Sequence, residues 1–382
     1  MVGVNQSDIT IVDSTFDGKS AETGGVIFGE FDSNITIINS TFIGNSAASY
    51  QSVSGGVLHC QGGCTVTIHN STFKNNAVVY LGYGAVVSIT ANGHKFGKSK
   101  LIISGTEFSN NKAFFGGAII AGVGVTLDIR ESNFTNNEAI PHGSGGAITV
   151  GLKSTLNIVG SRFCGSEAFT GGAISISGTA SVNISGSEFS NNKVQNGGGA
   201  INVNGKALLN ITGSEFSSNQ ADSGGALSLW SGATVNISAC DFVNNVARSG
   251  SVIFAFYLIL VNANWWESTN LIELSDNMII NNKAESGVIF LSNSKAMISS
   301  NTSFVNNTGS LFLFNSNITM GDTKFFNNFS PQQTPNVTYP EGGAITAFQS
   351  YIVFSKECFL IHNHAENGGA IFAIESKFVH LW

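Results

Sequence analysis

The chain has 382 residues, 42% apolar and 11% charged, with a formal net charge of -7. A soluble domain ordinarily carries ~25% charged residues, so a charge-rich disordered chain is excluded. A net-negative chain whose arginines are Arg130, Arg162 and Arg248 lacks the cationic surface that nucleic-acid binding needs, and its longest apolar run, Val252 to Val261, falls well short of the ~18 residues of a membrane-spanning helix.

The N-terminal stretch MVGVNQSDIT has no basic region and no apolar core, so no signal peptide is read there. From that point the sequence is organised by repetition. SVNISGSEFSNNKVQNGGGAINV (Ser181 to Val203) is followed by LLNITGSEFSSNQADSGGALSL (Leu208 to Leu229). One large apolar anchor per unit gives thirteen copies: Phe16, Phe42, Phe73, Phe108, Phe134, Phe163, Phe189, Phe216, Phe242, Ile279, Phe304, Phe325 and Phe359. A second apolar column stands seven positions before the anchors, from Ile9 and Ile35 through Leu156, Val182 and Leu209 to Met297, Ile318 and Ile352. A third stands five before, as at Ile37, Ile158 and Ile211, and a Ser/Thr column two before, as at Ser40, Thr106 and Ser161. Asn follows three after, as at Asn45, Asn111 and Asn245, and then Gly-Gly-Ala-Ile or a close variant.

The period within a unit is two, which means strands. The pair at -7 and -5 and the pair at -2 and 0 are out of phase, and a phase slip of one residue is a corner. Asn tolerates the left-handed backbone of a second corner, and the Gly pair makes a third. Three short strands and three corners per unit predict one coil of a parallel β-helix. The expected fold is therefore all-β, a right-handed parallel β-helix of about thirteen coils. It is expected to form a single domain over residues 1–382, cut from a longer repeat protein. Pro141, Pro331, Pro335 and Pro340 are expected outside every strand.

GGA[ILV] in register with FxxN, intact for example at Phe42–Asn45, Phe108–Asn111, Phe189–Asn192 and Phe325–Asn328, resembles the repeat signature of the chlamydial-type polymorphic outer-membrane proteins. The resemblance covers nearly the whole chain. It implies a right-handed parallel β-helix, secreted or displayed at the cell surface, that acts in adhesion.

Candidate sites are few. In HCQGGC, a tight turn at QGG could bring the sulfurs of Cys60 and Cys64 within disulfide range, so a local disulfide is one reading and free thiols the other; with His59 they lack the second ligand pair a zinc site needs. Cys164, Cys240 and Cys358 are expected as buried thiols. The outward column just before the anchors carries Glu107, Asn133, Arg162, Glu188, Glu215 and Asp241. Three successive carboxylates there suit Ca²⁺ or a hydrolase acid pair, but a copied template with a solvated face explains them as well. His362 and His364, two apart with Glu366 nearby, are a set that can bind a metal, but His362 stands in the slot of the Asn column, and hydrogen-bonded corner histidines are the reading preferred. N-glycosylation sequons occur at Asn5, Asn34, Asn39, Asn70, Asn133, Asn183, Asn210, Asn236, Asn301, Asn306, Asn317, Asn328 and Asn336. Solenoids place function where they depart from their template. The insertion Asn262–Asn270 holds Trp265 and Trp266 side by side, either a candidate contact for a protein or a sugar or a local cap packed on the rod.

The expectation is an adhesive or structural module, extracellular or at the cell surface. It would have no catalytic residues, cofactor or metal, and its partner would be a cell-surface protein or a carbohydrate. The alternative is a carbohydrate-active β-helix enzyme of the pectate-lyase or glycoside-hydrolase kind.

Overall fold

The computed structural model describes residues 2–48, 54–79, 82–91, 97–257, 269–330 and 342–380. All regular structure among them is β-strand, and every strand pairing is parallel between successive coils. The fold is a right-handed parallel β-helix. Contacts divide the chain into two compact units, Met1–Gln195 and Asn196–Trp382.

A coil of the first unit shows how the sequence is spent. Thr155–Val159, Arg162–Cys164, Glu167–Ala168 and Ile174–Ser177 are its strands. Their counterparts in neighbouring coils stack into four sheets, called here B, C, D and A in that order. The coil thus has four strands, one more than the period-two pattern gives. The additional strand, in sheet D, follows the Asn corner and is too short, at two residues, to show a period.

Alternation fixes what is inside. Leu156 and Ile158 point inward from sheet B, Phe163 from sheet C, and Ile174 and Ile176 from sheet A. Each of the thirteen anchors falls in a strand of sheet C, and Phe189, Phe216 and Phe242 are fully buried. Because equivalent residues stack one strand spacing apart, the rings lie face to face. Phe42–Phe73, Phe108–Phe134 and Phe134–Phe163 have centroids 4.8, 4.6 and 4.7 Å apart, with planes within 7° of parallel.

The Asn corner is tied by side chains. Asn76 Nδ2 donates to Asn111 Oδ1 at 3.0 Å and to the Phe42 carbonyl at 3.0 Å, and its backbone N–H donates to the same Asn111 Oδ1. The fully buried Asn thus satisfies polar groups of three coils. The Gly pair has a steric origin: a Cβ on Gly117 would lie 2.0 Å from the Gly146 carbonyl oxygen.

Four expectations need correction. Pro141 lies within the strand Glu138–Ser144 of sheet D, where the inserted residues are absorbed as a bulge between Ala139 and Ser144. Met297 is not in the inward column: it faces Glu273 and is 42% exposed, while Ala296 and Ile298 oppose Ile272 and Leu274. The cause is a longer corner, with Ser300 and Asn301 both left-handed (φ 51° and 63°). Phe359 is not an interior anchor either. It pairs with Lys324 and is 44% exposed, and Leu360 opposes Phe325 instead. The Asn slot of that coil therefore belongs to Asn363, whose Oδ1 accepts from Asn328 Nδ2 at 2.9 Å, and not to His362.

Candidate functional site

Cys60 and Cys64 are joined by a disulfide with their Cα atoms 6.3 Å apart. It closes the corner made by Gly62 and Gly63, both at positive φ. Linking so short a loop removes chain entropy worth about 2 kcal/mol. A Cys60→Ser, Cys64→Ser variant is expected to lose about that much stability in urea unfolding, and reductant should lower wild type to the variant's level. If reductant leaves wild type unchanged, the bond is not contributing.

Beside it, His59 stacks on Phe28 at 5.5 Å. Its Nδ1 is buried without a hydrogen-bond partner, and burial holds its pKa below the ordinary imidazole value. Of the other cysteines, Cys240 is buried, and desolvation pushes its thiol up to about 11. Cys164 and Cys358 are half-buried.

The outward carboxylate column is partly neutralised. In the first unit Arg162 Nε lies 3.3 Å from Glu188. In the second, Glu215 opposes Asp241, and Asp241 opposes Met278. Among the described residues no group of three or more His, Cys, Asp or Glu side chains is placed to hold a metal ion. His362 meets Phe326 edge-on and His364 stacks on Phe329, each with its centroid 5.8 Å from its partner's.

Trp265, Trp266 and Asn336 lie outside the described residues. Asn34 and Asn183 sit in sheet B with their amides hydrogen-bonded to Asp8 and Asn157, and Asn236 donates to Asn210. Asn39, Asn70, Asn301 and Asn306 are exposed corner residues at positive φ. Asn5, Asn133 and Asn317 are exposed as well. Asn328 is buried in the Asn column, both its N–H groups donating, to the Phe304 carbonyl and to Asn363.

One feature was missed. In the second unit the outward positions of sheet A carry aromatic rings. Trp230 contacts Phe254 and Phe256 at 5.5 and 5.4 Å. Phe254, Phe290 and Phe312 then stack at 5.1 and 4.9 Å. Phe348 and Phe372 continue the row at 5.6 and 6.0 Å, tilted by 37° and 55°. Phe314 is 44% exposed, and Trp230 Nε1 donates to Ser228 Oγ at 2.8 Å. None of the outward residues of these strands is charged. In the first unit the equivalent slots hold Phe28, His59, Ser88, Ile120, Thr149 and Ser175. The signal was the residue between the inward pair in IFAF, IFLS and LFLF.

Residues 55–242 match the family described as right handed beta helix region, which supports the β-helix family at large. Among solved structures, the chain is similar to a tailspike protein mutant of E. coli bacteriophage HK620 in complex with a hexasaccharide. The identity is 11% over 96% of this chain and 73% of that one, with a TM-score of 0.31. The same tailspike in complex with a pentasaccharide matches at 12% identity over 96% and 74%, with a TM-score of 0.30. No curated protein matches the chain.

The expectation of a chain without enzymatic activity is corrected beside these matches. That expectation rested on the lack of a clustered acid–base motif. Coils bring residues far apart in sequence side by side, so a missing local motif excludes no chemistry.

Proposed function

We propose that the chain is an extracellular or surface-displayed β-helix that binds carbohydrate along the outer face of sheet A in its second unit, and that it serves attachment. The row from Trp230 to Phe372 carries this reading. Phe314 is 44% exposed, Trp230, Phe256, Phe290, Phe348 and Phe372 are half-buried, and Phe254 and Phe312 are buried, so the accessible rings are those of Phe314 and its half-buried neighbours. Aromatic rings with a few hydroxyl and amide neighbours suit the mixed apolar and polar faces of a sugar. The absence of charge on the face favours a neutral polymer. The disulfide, which persists in oxidising compartments, the sequons and the resemblance to polymorphic outer-membrane repeats support the location.

The test is affinity electrophoresis through gels containing neutral polysaccharides. A Trp230→Ala, Phe314→Ser variant is expected to bind at least about tenfold more weakly, since a desolvated aromatic anchor is worth ~2 kcal/mol or more. Equal retardation of the two proteins in every polymer would reject the assignment. Reducing ends measured in the same samples report whether a bound polymer is also cleaved.

A further inference from the structure

The two register corrections meet in one place. The corner between sheets B and C is widened at Ser300–Asn301 and again at Ser355–Glu357, with Asp322 between them. The widening turns Phe359 outward and opens a cleft of about 320 Å³. Asp276, Asn301, Asp322, Lys324, Glu357 and Phe359 line it. One charge is paired, Asp322 accepting from Lys356 Nζ at 3.0 Å, while the Lys324 ammonium donates to the neutral Asn301 Oδ1 at 3.1 Å and keeps its charge. Among the described residues neither Asp276 nor Glu357 has an ion-pair partner. The cleft thus offers an exposed aromatic ring, the unpaired carboxylates of Asp276 and Glu357, which outnumber the Lys324 ammonium by one, and the amide donor of Asn301.

A matching ligand presents an apolar face to the ring, a cationic donor to the carboxylates and hydroxyls to the amide. We propose that this cleft binds amino sugars bearing a free, protonated amine, such as the units of a deacetylated hexosamine polymer. A carboxylate–ammonium hydrogen bond is stronger than a neutral one, and the ring adds cation–π attraction. The N-acetylated sugar keeps the ring and hydroxyls and loses the charge. The proposal extends the carbohydrate reading and uses a surface separate from the aromatic face.

Isothermal titration at about pH 6, where carboxylates are ionised, compares a glucosamine tetramer with its N-acetylated counterpart. The full chain is made without glycosylation, because Asn301 is itself a sequon. The free amine is expected to bind roughly tenfold more tightly. An Asp276→Asn, Glu357→Gln variant should bring the ratio towards one with an unchanged melting temperature, as both side chains are exposed. Equal affinity for the two tetramers, a ratio that persists in the variant, or competition by trilysine as strong as by the amino sugar would each overturn the proposal. If the ratio is one while neutral polysaccharides still retard the chain through Trp230 and Phe314, the cleft assignment fails and the aromatic face stands.

Discussion

Replacing Asn245 by Ala is expected to cost about 4 kcal/mol of stability. The side chain is fully buried. Its Nδ2 donates to the Phe216 carbonyl at 2.8 Å and to Asn282 Oδ1 at 3.0 Å. Its Oδ1 accepts from the Asn219 backbone N–H at 3.1 Å and from Asn219 Nδ2 at 3.0 Å. Alanine removes every one of these, leaving polar groups of two neighbouring coils buried, at ~1–3 kcal/mol for each one left unpaired. Denaturant unfolding followed by circular dichroism measures the loss. A change below about 1 kcal/mol would mean that water enters the corner and replaces the amide.

Phe134→Ala is the second substitution with a large effect. Phe134 is fully buried between Phe108 and Phe163, its ring within 6° of parallel to both. Truncation leaves a cavity in a stack that cannot collapse without pulling strands together, at about 3–5 kcal/mol, and it strips the rings above and below of their stacking partner. Phe134→Leu is expected to cost much less, about 1–2 kcal/mol. The chain supplies its own precedent: Ile279 fills the equivalent slot and is buried. If Leu proves as damaging as Ala in thermal unfolding, ring stacking matters more to this column than filled volume.

The columns could be read because each residue type has one place in the coil. Leu156, Ile158 and Phe163 fall inside because their period and the corner between them leave no other register. Phe359 misled because its neighbour is Leu360: two adjacent large apolar residues satisfy the anchor slot equally well, and alternation cannot choose. The deciding residue was three further on, since Asn363, not His362, completes the column. Met297 misled in the same way beside Ile298. The aromatic face was hidden for a different reason. In IFAF and LFLF inward and outward residues are all apolar, and such a run reads as a strand buried on both sides. The cleft needed the corner geometry itself, because its residues come from separate coils and share no motif.

The amides of Asn45, Asn76, Asn111 and Asn137 all point the same way: each side-chain N–H of the first three reaches the oxygen of the next. Aligned dipoles reinforce one another along such a chain, and the row has a sense, like the peptide dipoles of a helix. At one end the Asn45 oxygen takes the Lys19 backbone N–H. At the other, Ser166 stands where the next Asn would be, and its hydroxyl has no partner. A coil inserted in reverse sense would set oxygen against oxygen, whereas a coil copied from its neighbour arrives with its amide already aligned. Lengthening by duplication therefore preserves the polarity of the stack without any further change in sequence.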